Sequence, residues 1–417
     1  MTTETATPEP PTPATPSADR PAADLPVITL RPRHARPIFS RHPWVYVSAI
    51  TDPPAGLAVG DEVVVATDHG QPIARGLWNP NSLIRVRLYS WDLGQGVDAG
   101  LIRRRVAAAV ALRKKTLGRT DACRLVFSEA DGLSGLTVDA FGGWLVVQIT
   151  SAALFERGEA ITEALRDELS PRGIVLRTER GLRELEGLDA EDGVVWGQPP
   201  PAGLTVDCGG VSFRVDLSEG QKTGFYFDQR ANRAAVARYC AGASVLDCHA
   251  YSGGFALAAA KLGGAAKVVG VDTSAAAVEL AAANAELNGV ADRVAFKKSD
   301  AAAELNNAAE RGERFGVVVL DPPKLARTRG GLKRALKAYT KLNAAALRAV
   351  EPGGVLATCS CSGLVTSDEF DAVIREAALE AGRFVRVLES RHADVDHPRS
   401  AFCPETDYLK CRIAAVE

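Results

Sequence analysis

From about residue 244 to its end the chain alternates short apolar runs with helix-length segments, and this alternation constrains the fold more than any other feature. Val- and Leu-rich runs separated by such segments predict parallel strands joined by crossover helices. Strands are expected near residues 244–247, 267–272, 294–297, 317–321 and 354–358. A late pair near 384–388 and 408–413 fits an antiparallel edge. The first strand runs into VLDCHAYSGGF, residues 245–255: an acid, Asp247, then a turn with Gly253 and Gly254, then an Ala-rich helix. In an open α/β sheet ligands bind at the carboxyl ends of the strands, where this turn would lie. Glycine has no Cβ, so backbone there can approach a ligand closely. No Lys-Ser or Lys-Thr follows the glycines, and the G-x-G-x-x-G fingerprint is absent, so the turn is neither a phosphate loop nor a dinucleotide fingerprint.

Acids end the successive strands: Asp247, Asp272 in VVGVD, Asp300 in KKSDA and Asp321 in VVVLDPPK. Aspartate is common in turns, so one such acid says little; four in succession carry a signal. Asp272 lies 25 residues beyond Asp247, where a ribose-binding acid falls in nucleotide folds. Asp300 could receive an adenine amine. The spacing resembles S-adenosylmethionine-dependent methyltransferases of the seven-stranded class. A dehydrogenase reading is disfavoured by the missing fingerprint and the late strand pair.

Two prolines after Asp321 make a rigid lip without N–H donors. Lys324 stands where amine-methylating enzymes often carry an aromatic residue that stacks on the flipped base, which disfavours that chemistry. Residues 324–341 hold seven Lys/Arg and no acid, and Lys333, Lys337 and Lys341 share one helix face, with Leu332, Leu336, Tyr339 and Asn343 on another. A basic face beside the lip reads as a phosphate track. LATCSCSG, residues 356–363, then ends another strand. Carbon 5 of cytosine is too electron-poor to attack a methyl donor until a thiolate adds at carbon 6 and makes an enamine, so a reactive cysteine here has a chemical purpose. A buried cysteine is more often a small apolar filler. Cys361, beyond the apolar run, is preferred over Cys359 as the nucleophile.

The front of the chain is different. Residues 1–26 are Pro-rich without apolar periodicity and are expected to be disordered. Between Arg31 and Arg119, 14 Lys/Arg stand against 6 Asp/Glu, a local balance of +8 in a chain of net charge −2. Such asymmetry suggests a polyanion-binding region on an acidic body. Short β-rich runs split by turns predict a small barrel bearing Arg31, Arg33, Arg36, Arg41, Arg85 and Arg87. Phe39, Trp44, Tyr46, Trp78 and Tyr89 are interleaved with them; most are read as core, with the remainder suited to stacking on bases. A helix over 101–117 carrying Arg103, Arg104, Arg105, Arg113, Lys114 and Lys115, strands near 123–127, 136–139, 144–149 and 173–177, and a helix over 153–169 predict a second, α+β unit. Eight cysteines form no C-x-x-C pair and no zinc-spaced cluster, and no apolar run reaches membrane length; reduced thiols, a cytoplasmic location, no membrane association and no metal are expected.

The stretches GQKTGFYFDQR, VLDCHAYSGGF, LDPPK, SCSG and DGLSGLTVDAFGGWLVVQ together resemble the bacterial RlmI-type ribosomal RNA large-subunit methyltransferases that make 5-methylcytosine. The resemblance runs from about residue 27 to the C-terminus. It implies a PUA-like RNA-binding β-barrel (27–98), a central α+β domain (99–205) and a seven-stranded Rossmann-like catalytic domain (206–417), α/β overall. It implies S-adenosylmethionine as cofactor, with Asp247, Tyr251, Gly253, Gly254, Phe255, Asp272, Asp300, Asp321 and Gln229 around it. The catalytic set would be Cys361 as nucleophile, Asp321 on the cytosine edge, and Lys324. Many RNA cytosine methyltransferases have a second cysteine after the Pro motif for product release; Lys324 occupies that place, so another base must act. The implied partner is 23S ribosomal RNA or a large-subunit precursor, and a homodimer is possible for the family. Methylation of a guanine or exocyclic amine would not need Cys361, and a non-catalytic ribosome-assembly factor would bind RNA without methyl transfer.

Overall fold

The computed structural model describes residues 21–118, 120–178, 180–217 and 225–417. Residues 1–20 of the expected disordered tail and the GQKTG part of the GQKTGFYFDQR motif therefore lie outside the described residues. Residues 21–26 depart from that expectation: Ala22–Asp24 form a 3-10 turn, Leu25 is buried, and the Pro26 carbonyl accepts from Val64 N at 2.9 Å. One apolar side chain next to the first strand is enough to anchor them.

The first five strands, Val27–Thr29, Trp44–Tyr46, Glu62–Ala66, Pro72–Trp78 and Ile84–Ser90, form one sheet with Val27–Thr29 and Trp44–Tyr46 at its two ends. The ends meet: Arg31 N donates to Ala49 O at 2.8 Å and Thr51 N to Thr29 O at 3.0 Å, closing the sheet on a core of Ile28, Leu30, Val45, Val63, Val65 and Val86. The second sheet holds Ala122–Phe127, Leu136–Phe141, Trp144–Ile149, Gly173–Leu176 and Gly193–Gly197 in sequence order. Against it pack the helices Ala99–Leu117, capped by the Asp98 carboxylate on Leu101 N at 2.7 Å, and Gly158–Leu169. The single helix expected over 153–169 is two, Ala152–Phe155 and Gly158–Leu169, since Arg157 leaves the helical region and Gly158 starts anew. Leu204–Asp207 and Ser212–Val215 form a separate hairpin ahead of the last sheet.

That last sheet has strands β1 (Ser244–Cys248), β2 (Lys267–Asp272), β3 (Val294–Lys298), β4 (Phe315–Leu320), β5 (Val350–Ser360), β6 (Val385–Arg391) and β7 (Lys410–Val416). Its order is β3-β2-β1-β4-β5-β7-β6, with β1 to β5 parallel and β7 antiparallel to both its neighbours. Helices α1 (Gly254–Lys261), α2 (Ala275–Leu287), α3 (Ala301–Glu310), α4 (Leu332–Ala349) and α5 (Ser367–Ala381) make the crossovers. The strand order reverses between β1 and β4, the kind of switch point at which open α/β sheets bind ligands. Continuous apolar strands such as FGVVVL of β4, buried on both faces, are what such a sheet demands.

The glycine turn is shaped by its packing as well as by any ligand. Gly253 sits at φ +85°, and a Cβ there would come 2.8 Å from Phe296 Cζ of β3. Gly253→Ala should therefore destabilise the protein by ~1–3 kcal/mol, and Phe296→Leu in the same chain should restore part of that loss. Urea denaturation of the two single variants and the double variant measures the coupling.

Candidate active site

The carboxyl ends of the five parallel strands present Asp300, Asp272, Asp247, Asp321 and Cys361 in that spatial order. Their environments differ. Asp247 lies inside β1 at 1% exposure; its Oδ2 accepts from Ala256 N at 2.9 Å, while Oδ1 is buried without a partner. Asp272 ends β2 and holds the glycine turn, Oδ2 accepting from Tyr251 N at 3.0 Å and Oδ1 from Ser274 N at 2.9 Å. Asp300 is exposed beyond β3 and caps α3 through Ala303 N at 2.9 Å, so one of its oxygens is already committed.

The turn itself is strained. His249 (φ 64°), Tyr251 (φ 47°) and Gly253 (φ 85°) all lie in the left-handed region. Such residues other than glycine cost of order 1–3 kcal/mol each and persist where the surroundings fix them. Here Ala250 N donates to Val271 O and Gly253 N to Ala250 O. The Tyr251 ring stands edge-on to Tyr226, 5.4 Å between centroids. Phe255 packs into the apolar core beneath the turn.

Gly254 is needed by a residue that sequence reasoning did not single out. A Cβ there would come 2.6 Å from Arg233 Nε. Arg233, on the helix Arg230–Ala237, lies over the rings of Phe225 (4.9 Å) and Phe213 (5.8 Å), and its Nη2 donates to Tyr226 O at 2.9 Å. Its Nε and Nη1 are buried without partners. A guanidinium with orphaned donors against a glycine turn suits a carboxylate, and the orphaned Asp247 oxygen suits an ammonium. With Asp272 at the neighbouring strand end, the chemistry of this set would suit a ligand carrying an amino acid and a ribose.

Across the switch point Asp321 is the first residue past β4, and its Oδ2 accepts from Gln229 Nε2 at 3.0 Å. Burial, reinforced by the Asp228 carboxylate, pushes Asp321 up to about 7, against the opposing Gln229 bond and Arg233. Burial likewise raises Asp247 to about 7, with Asp321 adding to it and the Ala256 N–H and Arg233 opposing. Pro322 is buried, whereas Pro323 and Lys324 are exposed, so Lys324 faces solvent just past the lip.

Cys361 follows β5 directly and is half-buried, its Sγ 3.9 Å from the Pro322 carbonyl. Cys359 is fully buried inside β5, in register with Cys411 of β7; the Cys411 thiol and burial hold its own thiol well above the usual range. The serines on either side of Cys361 have structural work. The Tyr339 hydroxyl of α4 bonds both Ser360 Oγ and Ser362 Oγ at 3.1 Å, and Ser362 Oγ also accepts from Ala326 N at 3.1 Å. Buried Lys410, at the start of β7, donates to Ser362 O at 2.8 Å and Tyr408 O at 2.9 Å. Burial pushes Lys410 down to about 8, opposed by Asp407 and Cys361. Tyr408 in turn donates its hydroxyl to Asp228 Oδ2. Asp228 belongs to the GQKTGFYFDQR stretch that stood out in the sequence, and Arg233 lies three residues beyond it; nothing in the sequence marked Tyr408 or Lys410.

The loop before Tyr408 is tied to the second sheet. Fully buried Asp396 accepts from Arg124 N at 3.1 Å, lies 3.1 Å from Arg230 Nη2 and 2.8 Å from His397 Nδ1, while its carbonyl accepts from Arg113 Nη2 at 2.9 Å. Further along, His42 of the barrel lies 3.2 Å from Glu405, which also accepts from the Cys403 thiol at 3.4 Å. Arg113, one of the basic residues noted on the 101–117 helix, is thus buried and paired with Asp131 at 2.6 Å. Arg87 is corrected likewise: it is buried between Glu129 and Glu186 and cannot reach a phosphate. Trp78 and Tyr89 are core, as most of the barrel aromatics were expected to be. Arg31, Arg33, Arg36, Arg41, Phe39 and Tyr46 stay exposed on the barrel, where Arg85 is half-buried, and Lys324, Arg327, Arg329, Lys333, Arg334, Lys337 and Lys341 stay exposed beside the lip.

Removing one partner of a buried ion pair strands the other. Asp396→Ala is therefore expected to destabilise the protein by ~3–5 kcal/mol, read from urea melts. Asp396 is held below the usual carboxylate range; burial opposes this, but His397, Arg230 and the Arg124 N–H prevail. Its contribution should thus be complete above the unfolded carboxyl pKa and fade as pH falls below the usual carboxylate range. A variant as stable as the parent at neutral pH would show that the loop is held otherwise.

Residues 28–91 match a PUA-like domain family and residues 134–401 match the S-adenosylmethionine-dependent methyltransferase family. Among curated proteins, the chain is 37% identical over 395 residues to "Ribosomal RNA large subunit methyltransferase I" of Shigella dysenteriae, covering 93% of this chain and 99% of that protein. The protein of the same name from Aeromonas salmonicida is 39% identical over 376 residues, 89% of this chain and 95% of that one. A solved Streptococcus mutans structure, described as a candidate SAM-dependent methyltransferase, superposes with a TM-score of 0.80 at 18% identity, over 94% of this chain and 100% of its own.

Proposed function

The chain belongs to the S-adenosylmethionine-dependent methyltransferases, in the family of the ribosomal RNA large subunit methyltransferase I proteins, and from this premise we propose that it methylates carbon 5 of a cytosine in 23S ribosomal RNA. The observation that carries the cytosine reading is Cys361: a half-buried thiol one residue past β5, against the Asp321–Pro322 lip, in a loop pinned by Tyr339 and Lys410. A merely structural cysteine would sit like Cys359, inside the sheet.

The cofactor supplies a methyl group made electrophilic by its sulfonium. Arg233 would hold its carboxylate end, Asp247 its ammonium and Asp272 its ribose, while Gly253 and Gly254 leave room for backbone approach. Tyr251 and Gln229 border this cleft, Gln229 by orienting Asp321. Asp321, whose raised pKa lets it carry a proton near neutrality, bonds the edge of the base and stabilises the ring as charge develops. The Cys361 thiolate adds to carbon 6, making carbon 5 an enamine carbon able to take the methyl group. The Pro322 carbonyl of the lip lies against the thiol on one side, and the loop through Ser362 fixes it on the other. The exposed Lys and Arg beside the lip and the Arg33–Arg41 face of the barrel supply phosphate contacts, which make binding salt-dependent.

RNA carrying 5-fluorocytidine at the target should form an adduct stable to denaturation with the parent protein and with Cys359→Ala, and none with Cys361→Ala. An adduct lost in Cys359→Ala and kept in Cys361→Ala would reverse the assignment. Full methyl transfer by Cys361→Ala would point instead to a guanine or an exocyclic amine.

Cofactor affinity should also depend on pH with a definite sign. Asp247 sits at about 7 in the free protein, and a cationic ligand favours its ionised form. Binding therefore releases a proton below pH 7, and affinity falls by up to about tenfold per unit as pH drops, levelling off above about 8. Calorimetry in buffers of different ionisation enthalpy measures that proton; an affinity flat from about pH 6 to about pH 8 would sink the assignment.

A further inference from the structure

Carbon-5 methylation leaves one step without an agent. Once the methyl group is on, carbon 5 also carries a hydrogen and carbon 6 carries the Cys361 sulfur. A base must take that hydrogen as a proton before the thiolate can leave. Lys324 stands where a second cysteine would be, but it is exposed beyond the lip. Asp321 is engaged by Gln229.

Among the described residues, two carboxylates have a buried oxygen without a hydrogen-bond partner, Asp228 and Asp247. Asp247 lies under the glycine turn on the cofactor side of the sheet and is bonded to α1. Asp228 stands near enough to Asp321 for its charge to help raise that carboxyl. It lies in the 3-10 turn Phe227–Gln229, just before the helix that carries Arg233, and is 8% exposed. Its Oδ2 takes the Tyr408 hydroxyl, and its backbone carbonyl accepts from Asp394 N at 2.9 Å. Its Oδ1 is the orphan.

The neighbours of Asp228 are the neighbours of the nucleophile. Tyr226 feels the charges of Asp228, Cys361 and Asp321 together, and Tyr408 those of Asp228 and Cys361. Tyr408 is joined to Cys361 by a second route, since Lys410 bonds both the Tyr408 and Ser362 carbonyls. A carboxylate kept nine-tenths buried with half its acceptor capacity unused is costly unless something comes to meet it.

We infer that Asp228 is the general base of the release step, its free oxygen taking the carbon-5 proton while Tyr408 holds the carboxylate in place. This rests on the cytosine carbon-5 reading above. The electron pair of the carbon–hydrogen bond becomes the carbon 5–carbon 6 double bond. The carbon–sulfur bond breaks with its electrons on sulfur, Cys361 leaves as thiolate, and the new carboxylic acid gives its proton to solvent through the open site. Asp228 touches the reacting hydrogen and is catalytic in that sense; Tyr408 is a positioning residue.

The test uses full-length protein, labelled methyl donor and 23S rRNA purified from a strain lacking this gene, with ordinary cytidine. Asp228→Asn keeps the shape and an oxygen for Tyr408 but removes the base. It should slow turnover by roughly 10²–10⁴-fold and accumulate a denaturation-stable protein–RNA adduct that carries the label, close to one per enzyme. Tyr408→Phe should show a smaller loss with some adduct at steady state, and it carries the test if Asp228→Asn does not fold. Turnover of Asp228→Asn within tenfold of the parent overturns the proposal. So does loss of methyl transfer without any labelled adduct in a folded variant, which would place Asp228 before the methylation step. Failure of the parent itself to trap 5-fluorocytidine RNA would instead remove the carbon-5 reading, so the two failures are distinct.

Discussion

Parallel pairing of β1 with strands on both sides is the constraint on which the rest of the site depends. Backbone ladders bind Asp247 to Gly270 of β2 and to Val319 of β4, and those registers bring the strand ends to one edge. A slip of one residue in any strand would turn its side chains to the opposite face. Because β4 is apolar on both faces, such a slip there would bury nothing new, and the acids at the strand ends would be dispersed. The crossover helices then occupy both faces of the sheet, leaving the strand ends and the switch point as the open edge.

Gathering carboxyl groups at that edge works against folding. Asp247 and Asp321 are each raised from the ordinary carboxyl value to about 7, chiefly by burial. At about 1.4 kcal/mol per unit this is on the order of 4 kcal/mol for keeping each charged. Arg233 offsets part of it and is itself incompletely bonded. The orphaned atoms of Arg233, Asp247 and Asp228 thus form one balance: an anion, a cation and a proton-bearing carbon would each relieve one of them. At the strand-end switch point, such unpaired groups suit the polar groups of a ligand.

The loop from His392 to Tyr408 links this chemistry to the rest of the molecule. Its buried Asp396 is bonded by Arg124 and by Arg113, both from the second sheet's unit, and by Arg230 from the helix next to Asp228. Glu405 reaches His42 of the barrel. Arginines that looked like a nucleic-acid-binding surface when counted along the chain are therefore divided. Arg87 and Arg113 are internal struts, whereas Arg33, Arg36 and Arg41 face solvent beside Phe39 and Tyr46. Charge density along a sequence cannot make this division, because it depends on whether an acid from elsewhere folds back onto each guanidinium.

Periodicity, the glycine turn, the four acids and the SCS run were legible in the sequence alone. They are local signals, set by which residues tolerate a strand, a left-handed turn or a strand end, and they sufficed for the fold and for placing Cys361 past the strand with Cys359 inside it. Boundaries slipped where local signals compete, as at Arg157–Gly158, where one expected helix is two. Tertiary structure alone decided the company that Cys361 keeps. Tyr339 comes from the next helix back, Lys410 and Tyr408 from the start of the last strand, and Asp228 lies 180 residues before the tyrosine it bonds. They meet because β7 inserts antiparallel between β5 and β6, placing the start of one strand beside the end of another. That adjacency is made by hydrogen bonds between distant segments, and no pattern within either segment records it.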